Sequence, residues 1–287
     1  MTVNLSLKTE PDLPIEADMI VPNQFMGKTV EEIGKLPVLQ GNQTLELKDF
    51  FDIKGQAGET ADDTEIHVVG DLRKVKMIGK GMNGGRITVE GDAGMYLGAE
   101  MIAGRIHVKG SVGSWAAAEM QGGNIQIEGD AGDRLCTDYR GSKDGMTGGR
   151  VYVAGNVGRE MGSHMRKGFI TVKGNVGELA AARMSGGTII VCGNLAGRVG
   201  ASATKGMIFV LGKLESIMPT YVPSGTSERE FTNYYLRYVK SRRPDFIQED
   251  IPYTEKWMKF MGDLAEEDPK EEIFVRASKN GHLLEEK

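Results

Sequence analysis

Cysteine is scarce in this chain: its 287 residues include two, Cys136 and Cys192. Two cysteines cannot build a disulfide framework, and neither belongs to a Cys-x-x-Cys pair of the kind that holds iron–sulfur clusters or structural zinc. We therefore expect a reduced, cytoplasmic protein. Cys136 is the candidate reactive thiol, whereas Cys192 stands at an outward strand position where we expect other residues to cover it.

A basic excess and long apolar runs are also missing. The net charge is −5 at pH 7, which disfavours nucleic-acid binding because such binding needs a clustered basic face. No apolar run approaches the roughly 20 residues of a membrane helix, and the first residues lack the apolar centre of a signal peptide. We expect no membrane and no nucleic-acid partner.

Groups that could perform catalysis are few. Three of the four histidines are expected at outward strand positions or in a C-terminal tail: His67, His107 and His282. His164 lies in a turn where it could act, but its one neighbouring carboxylate in the sequence is Glu160, and a general base needs an orienting partner. The sequence predicts no catalytic, cofactor-binding or metal-binding residue in this chain.

Glycine, in contrast, is abundant, with 40 residues or about twice the usual share. Much of it belongs to a repeat marked by methionines 19 residues apart, with one step of 26: Met82, Met101, Met120, Met146, Met165 and Met184. Each methionine is followed three residues later by a glycine: Gly85, Gly104, Gly123, Gly149, Gly168 and Gly187. A seventh unit has Ala203 in place of methionine. So regular a repeat indicates units that stack on one another to bury their apolar sides.

Each unit reads as a β-strand between two glycines, as in Gly85–Gly91, where Ile87 and Val89 face one side. A propeller blade needs roughly 40 residues, and hexapeptide or calcium-binding nonapeptide repeats do not match a 19-residue period. We predict an all-β fold, a right-handed parallel β-helix with about seven 19-residue coils. It spans residues 65–214, between an irregular N-terminal lead-in and cap (1–64) and a partly helical C-terminal extension (215–287).

The repeat also predicts the roles of its stacked side chains. The methionines are expected to fill the core, because one thioether per coil without histidine or cysteine makes a poor metal site. Asn156, Asn175 and Asn194 recur at one outward position, which suits a ladder of side-chain amides. Residues 44–53 are expected to form a strand or short helix that covers the first coil, whose edge would otherwise be unpaired.

The 26-residue step inserts seven residues into one coil, between about Asp133 and Gly145. Loops on a rigid solenoid are frequent interaction surfaces, and tyrosine and arginine are frequent interface anchors. Tyr139 and Arg140 are therefore interface candidates. A solvated bulge without a role fits the composition equally well.

The last coils are apolar on both faces, and such a surface cannot remain in water. Phe209 and Leu211 represent it and are further interface candidates. The segment from Glu228 to Arg243 predicts a helix, stopped by Pro244. Its aromatic residues form one stripe: Phe231, Tyr234, Tyr235 and Tyr238. We expect this helix, or a partner subunit, to cover the apolar face.

Three motifs together resemble the C subunit of formylmethanofuran dehydrogenase over about residues 20–225. They are the repeat unit G-x-x-M-x-x-G-x-[IV]-x-V-x-G, the interrupted coil with Tyr139–Gly141 and Gly145–Gly149, and the lead-in Phe25–Thr29. The same fold occurs in the gamma subunit of the bacterial formyltransferase/hydrolase complex. More distantly, it occurs in the C-terminal domain of the glutamate synthase large subunit. The last sixty or so residues are longer than the archaeal pattern.

The resemblance implies a non-catalytic scaffold subunit of a formylmethanofuran dehydrogenase complex, an oxidoreductase of one-carbon metabolism and methanogenesis. Such a complex reduces carbon dioxide and transfers the formyl group to methanofuran. The implied partners are a molybdenum or tungsten pterin subunit, a zinc amidohydrolase-like subunit and iron–sulfur subunits, with no cofactor on this chain. The resemblance does not distinguish molybdenum from tungsten.

Two alternatives remain. The first is the gamma subunit of a bacterial-type formyltransferase/hydrolase complex, which has no net redox step. The second is a stand-alone β-helix enzyme that acts on polysaccharide, which predicts a secretion signal and a carboxylate or arginine cluster on one strand face. The chain lacks that signal, and its Arg86/Arg105 pair is continued by Asn124 and then Arg150.

Overall fold

The computed structural model describes residues 1–227, 229–247, 251 and 255–284. These residues contain a thirteen-stranded sheet, most of whose neighbouring strands are parallel, and a four-stranded sheet whose strands lie between Ile15 and Lys76. Helices are few and short apart from one of 14 residues. The fold is mainly β, as the repeat predicts.

The elements follow in chain order. The N-terminal flank contains β1 (Thr2–Leu7), β2 (Ile15–Glu16), α1 (Pro22–Phe25), α2 (Val30–Gly34), β3 (Pro37–Gln40), β4 (Gln43–Glu46), α3 (Leu47–Phe50) and β5 (Phe51–Gly55). The repeat contains β6 (Glu65–Val69), β7 (Val75–Lys76), β8 (Asn83–Val89), β9 (Ala103–Val108), β10 (Asn124–Ile127), β11 (Arg150–Val153), β12 (Phe169–Val172), β13 (Ser185–Val191) and β14 (Lys205–Val210). The C-terminal part contains β15 (Val222–Ser227), α4 (Arg229–Arg242), β16 (Trp257–Gly262), β17 (Lys270–Arg276), α5 (Ala277–Asn280) and a 3-10 turn (Gly281–Leu284).

The repeat units stack in parallel and in register. Strands β6 and β8 to β14 pair each with the next, so that equivalent aliphatic residues align and are buried: Ile66, Ile87, Ile106, Ile125, Val151, Ile170, Ile189 and Ile208. A second parallel ladder, of single bridges, joins another residue of each unit: Leu72, Ala93, Val112, Ala131, Val157, Val176, Leu195 and Leu214. Two parallel ladders per unit mean that consecutive units keep the same orientation.

The methionine spacing follows from packing. All six repeat methionines are fully buried. A Cβ placed on Gly104 would lie 2.7 Å from Met82 Cε, and one on Gly123 would lie 2.7 Å from Met101 Cε. Both glycines also have left-handed backbone angles, with φ of 94° and 83°. Each methionine therefore fills the space beneath a glycine of the next unit, where a side chain would clash.

The asparagines form a ladder of a different kind from the one predicted. Asn156 Oδ1 accepts a hydrogen bond from the Asn175 backbone N–H (2.9 Å), and Asn175 Oδ1 accepts one from the Asn194 backbone N–H (2.8 Å). Asn194 Oδ1 continues the series by accepting from the Lys213 backbone N–H (2.8 Å). The expected amide-to-amide ladder is thus wrong, because each side chain instead satisfies a backbone donor of the next unit.

The N-terminal flank is more regular than predicted. Strand β1 pairs in parallel with β6 and antiparallel with β5, so the sheet continues beyond the repeat. Val3 and Leu5 of β1 are buried and alternate with polar residues, and this alternation in the sequence is the feature that would have predicted the strand. Residues 44–53 form a strand and a short helix that continue into β5, but β1, and not this segment as predicted, pairs with the first repeat strand β6. At the edge strand β5, Asp52 and Lys54 are exposed, and such charges disfavour pairing with another chain.

The C-terminal part also continues the sheet. Strand β17 pairs in parallel with β14, and β16 and β15 follow in antiparallel order. The sequence predicted a partly helical extension but did not predict its three strands, β15, β16 and β17. Strand β17 is largely buried on both faces, so its sequence lacks the alternation that marks a strand. His282 does not lie in a free tail, since its Nε2 is 2.9 Å from the Leu214 carbonyl oxygen.

Helix α4 lies over the apolar outer face of the last repeat strands, so the predicted covering helix is confirmed and belongs to this chain. Phe209 packs against Tyr235 of α4 and Phe274 of β17, with ring centroids 4.7 and 4.9 Å apart. Tyr238 contacts Phe169 at 4.9 Å, whereas Tyr234 is 68% exposed. Glu228, the predicted first residue of the helix, lies outside the described residues. Across the described ranges, none of the helices has the length and apolar composition needed to cross a bilayer.

Candidate functional site

The insertion does not project from the stacked units but lies back against them. The Tyr139 ring stacks on Tyr96 (centroids 5.7 Å apart), and Tyr96 stacks on Trp115 (5.6 Å). Tyr96 and Trp115 occupy the same turn position in consecutive units, with left-handed φ of 62° and 59°. All three rings are half-buried. We call Tyr96, Trp115 and Tyr139 the aromatic surface.

Two arginines flank the aromatic surface. The Arg134 guanidinium lies 5.4 Å from the Trp115 ring centroid, and Arg134 also pairs with Glu160 at 3.2 Å. The exposed Arg140 guanidinium lies 6.0 Å from the same ring. Both distances are within the range of cation–π attraction. Burial and the nearby Glu100 carboxylate raise the pKa of the Tyr139 hydroxyl, so it remains protonated at neutral pH.

A row of ionisable residues runs beside the aromatic surface. The strand of each unit is followed by a second glycine, and these glycines are Gly91, Gly110, Gly129, Gly155 and Gly174. The residues nine positions after them are Glu100, Glu119, Asp138, His164 and Arg183. Equivalent residues of stacked strands lie about 4.8 Å apart, so the turn brings three carboxylates, an imidazole and a guanidinium into one line. Glu119 fixes the start of the insertion, because its Oε1 accepts a hydrogen bond from the Tyr139 backbone N–H at 3.1 Å.

His164 has a carboxylate partner that sequence reasoning missed. Its Nδ1 lies 3.1 Å from Asp138 Oδ1; the Asp138 side chain is 6% exposed and the imidazole 21%. The expectation that Glu160 was its one neighbouring carboxylate is wrong, since Glu160 pairs with Arg134. Counting from the second glycine of each unit would have aligned Asp138 with His164 despite the insertion.

The pair holds the insertion at both ends. Asp138 directly precedes Tyr139, and the His164 carbonyl oxygen accepts a hydrogen bond from the Gly145 backbone N–H at 3.1 Å. Arg166 forms an ion pair with Asp144, which adds a further link. Surface cavities of about 470 and 610 Å³ lie elsewhere, and His164 lines neither of them. The geometry supports positioning of the loop.

Cys136 is not a reactive thiol. It is fully buried, and burial raises its pKa, so the thiol stays protonated at neutral pH. Its position within the unit is the inward one that Ala117 and Ala181 occupy in other units, where small side chains fit. Cys192 is half-buried against the outer apolar cluster, and burial raises its pKa to about 12, in agreement with the expected packing role.

The remaining sequence candidates are separated in space and function. Phe209 and Leu211 are buried in an apolar cluster with residues of α4 and of the neighbouring strand β17, and they do not join Tyr139 and Arg140. Outward-facing histidines pair with carboxylates, as His107 does with Glu128 at 3.1 Å. Within the described part of the chain, no group of three or more histidine, cysteine, aspartate or glutamate residues is placed to hold a metal ion.

Comparison with known proteins adds curated relatives that match part of the chain. The C subunit of the molybdenum-containing formylmethanofuran dehydrogenase 1 of Methanosarcina barkeri is 46% identical over 86 residues, or 30% of this chain and 29% of that protein. The C subunit of the tungsten-containing formylmethanofuran dehydrogenase 2 of Methanothermobacter thermautotrophicus is 39% identical over 95 residues, or 33% of this chain and 35% of that protein. The match thus spans about a third of the length of these relatives. No family model matches the chain.

A solved structure matches nearly the whole chain. It is the crystal structure of the formyltransferase/hydrolase complex from Methylorubrum extorquens in complex with methylofuran. One of its chains superimposes with a TM-score of 0.84 and 29% sequence identity, covering 95% of this chain and 98% of that one. The resemblance to the C subunit of formylmethanofuran dehydrogenase, and to the formyltransferase/hydrolase relative, is confirmed.

Proposed function

We propose that this chain is a non-catalytic scaffold subunit of a formyl-carrying enzyme complex of one-carbon metabolism, of the formylmethanofuran dehydrogenase group. The observation that carries the proposal is the structural match over 95% of the chain to a member of a formyltransferase/hydrolase complex. The local identity of 46% to the C subunit of a dehydrogenase supports it. A scaffold also fits a site that holds a loop in place and lacks a metal-binding group among the described residues.

The proposal includes a specific architecture. The stacked units would close into a right-handed parallel β-helix of about seven coils over residues 65–214, flanked by 1–64 and 215–287. The two parallel ladders and the buried methionine row support this closure. A rigid column of this kind presents its turns and inserted loop at constant distances, which is what a scaffold requires.

Two versions of the complex are candidates. In a formylmethanofuran dehydrogenase, as in methanogenesis, other subunits would carry a molybdenum or tungsten pterin, iron–sulfur clusters and zinc. In a formyltransferase/hydrolase complex, formyl transfer would proceed without the redox centres. Local identity to the archaeal subunits favours the first, whereas the match that includes the C-terminal strands favours the second. In both versions this chain carries no cofactor, and a cytoplasmic location stays a prediction from the sequence.

The partner contact proposed here is the aromatic surface with Arg140. Tyrosine, tryptophan and arginine are the residue types that dominate binding energy at interfaces. The rings of Tyr96, Trp115 and Tyr139 are half-buried and stacked on one another, and Arg140 lies over Trp115. Because these side chains are already held in place, a partner that binds them loses little side-chain entropy.

Purification of the native chain from its source under mild conditions, with metal analysis and mass spectrometry of co-purifying proteins, tests the function. Stoichiometric partners with molybdenum or tungsten, iron and zinc would establish the dehydrogenase version. Partners with zinc but neither molybdenum nor tungsten would establish the formyltransferase/hydrolase version. Recovery of the chain without stoichiometric partners would contradict the scaffold proposal.

A further inference from the structure

The first outward residues of the repeat strands form one row with a marked change of charge. The paired positions on successive strands are Glu65, Arg86, Arg105, Asn124, Arg150 and Phe169. Neighbouring strands are about 4.8 Å apart, so Arg105 and Arg150 stand roughly 10 Å apart with an amide between them. From Glu65 to Phe169 the row changes from acidic to basic and then to aromatic, and it continues with Thr188 and Met207.

The arginines of the row differ in whether a carboxylate lies beside them. Arg86 lies 3.8 Å from Glu65, so a carboxylate already lies close to its charge. Arg105 and Arg150 form no ion pair with any described residue, although both side chains lie in a surface groove. Arginines that line a concave surface without a carboxylate are able to bind an anion, since guanidinium groups bind carboxylates in a bidentate manner.

The groove has the dimensions of a peptide site. A cavity of about 610 Å³ is lined by both unpaired arginines, by Asn124 and, at its far side, by Phe169 and Tyr238. Tyr238 belongs to α4 and contacts Phe169, so the helix forms one wall of the groove. The described residues that line this cavity include no carboxylate. It continues through Arg105 into a cavity of about 470 Å³ that is lined by Asp62, Asp63 and Glu65.

We propose that this groove, lined by Arg105, Asn124, Arg150, Phe169 and Tyr238, binds an extended acidic segment of a partner subunit. An extended chain places carboxylates on one face about 7 Å apart, and the long arginine side chains can meet that spacing. The aromatic wall would contact the aliphatic part of the segment, and the Asn124 amide can bond its backbone. The proposal rests on the scaffold function and adds the chemistry of one partner contact.

The surroundings favour a short acidic peptide over a polyphosphate chain. The carboxylates that line the adjoining cavity, those of Asp62, Asp63 and Glu65, would repel a polyanion that extended past Arg86. The net charge of −5 gives no wider basic field to attract nucleic acid. The basic part of the groove thus suits two or so carboxylates and excludes a longer run of charge.

The test uses the full-length chain and a fluorescein-labelled peptide of alternating glutamate and glycine. Fluorescence anisotropy would measure its affinity for the unaltered protein, for an Arg105→Gln/Arg150→Gln double variant and for an Arg198→Gln/Lys213→Gln control. The control changes the net charge equally and removes two exposed cationic side chains outside the groove. We expect the first double variant to bind at least about tenfold more weakly, which corresponds to about 1.4 kcal/mol, and the control to bind like the unaltered chain.

Other outcomes would overturn the proposal. The first is that the two double variants bind the peptide with the same affinity, and the second is that a glutamine–glycine peptide binds as tightly as the glutamate–glycine peptide. The third is that inorganic phosphate, at the same concentration of anionic groups, displaces the peptide fully, which would indicate a small-anion site. The native complex provides the second readout, because loss of both groove arginines should lower the yield of a co-purifying subunit. Unchanged peptide binding with an intact complex would reject this groove and leave the scaffold function standing. A chain that purifies without partners would reject the function itself.

Discussion

Asp138 and His164 belong to consecutive repeat units, and Nδ1 of the imidazole lies 3.1 Å from Oδ1 of the carboxylate. The insertion that begins at Tyr139 separates them in sequence, and their contact closes its base. The pair thus links the interruption of the repeat to the order of the loop that carries the aromatic surface.

Removal of the imidazole should loosen the insertion. We expect His164→Gln to lower the free energy of unfolding by about 1–3 kcal/mol, because the buried Asp138 carboxylate loses its partner. Trypsin should also cleave sooner after Lys143, which is exposed in the loop. Chemical denaturation and timed proteolysis would measure both effects. His107→Gln is the matched control, since its pairing with Glu128 is more exposed, and equal effects of the two substitutions would contradict the positioning role.

The buried methionine row should contribute strongly to stability. Met120→Ala would leave a cavity beneath Gly149, where an added Cβ would lie 2.7 Å from Met120 Cε. We expect a loss of about 2–5 kcal/mol in the free energy of unfolding. Met26→Ala, at a position that is 41% exposed, is the control and should have a much smaller effect. Urea denaturation followed by circular dichroism would compare them, and similar losses would show that the repeat methionines are not core residues.

Glu271 should make stability depend on pH. Burial raises the pKa of this carboxyl group well above its usual value, and its Oε2 is hydrogen-bonded to the Tyr221 hydroxyl. The pKa of Glu271 is higher in the folded state than in the unfolded state, so protonation of Glu271 stabilises the folded protein. This stabilisation is complete below the ordinary glutamate pKa and is lost as the pH rises through the folded pKa. Glu271→Gln should therefore gain stability relative to the unaltered chain as the pH rises.

Thermal unfolding across the acidic to neutral range would show this divergence. Glu272→Gln is the control, because Glu272 pairs with Lys259 near the surface and has no such burial. Parallel stability curves for the unaltered chain and the Glu271→Gln variant would show that Glu271 titrates normally in the folded protein.

The aromatic surface should matter more for assembly than for folding. We expect Tyr139→Ala and Arg140→Ala each to weaken partner binding by about 2 kcal/mol or more if they are interface anchors. Purification of tagged variants with quantitative mass spectrometry would measure the partner yield, and circular dichroism would check the fold. Tyr234→Ala removes a 68% exposed tyrosine on α4 and is the matched control. Equal partner yields for all three variants would reject this surface as a contact.

Local periodicity accounts for what could be predicted. The methionine and glycine spacing indicated a mainly β chain, parallel stacking, buried methionines and an aliphatic row, because each of these depends on the same residue type returning at the same place in every unit. The helix over Phe209 was also predictable, since an apolar outer face needs a cover and an aromatic amphipathic segment follows it. The asparagine ladder was predicted at the right residues but with the wrong acceptor–donor pairs, because backbone donors are invisible in a residue pattern.

The sequence by itself thus determined the repeat, its inward and outward faces, and the need to cover its apolar end. Only the tertiary structure decided which segments outside the repeat complete the sheet: β1 beside β6, and β17 beside β14. It also decided that Tyr139 stacks on Tyr96, that Asp138 meets His164, and that Arg105 and Arg150 share a groove with Tyr238. The physical reason is that a periodic pattern specifies the neighbours of periodic residues, whereas contacts of inserted and flanking segments depend on where the chain returns in space.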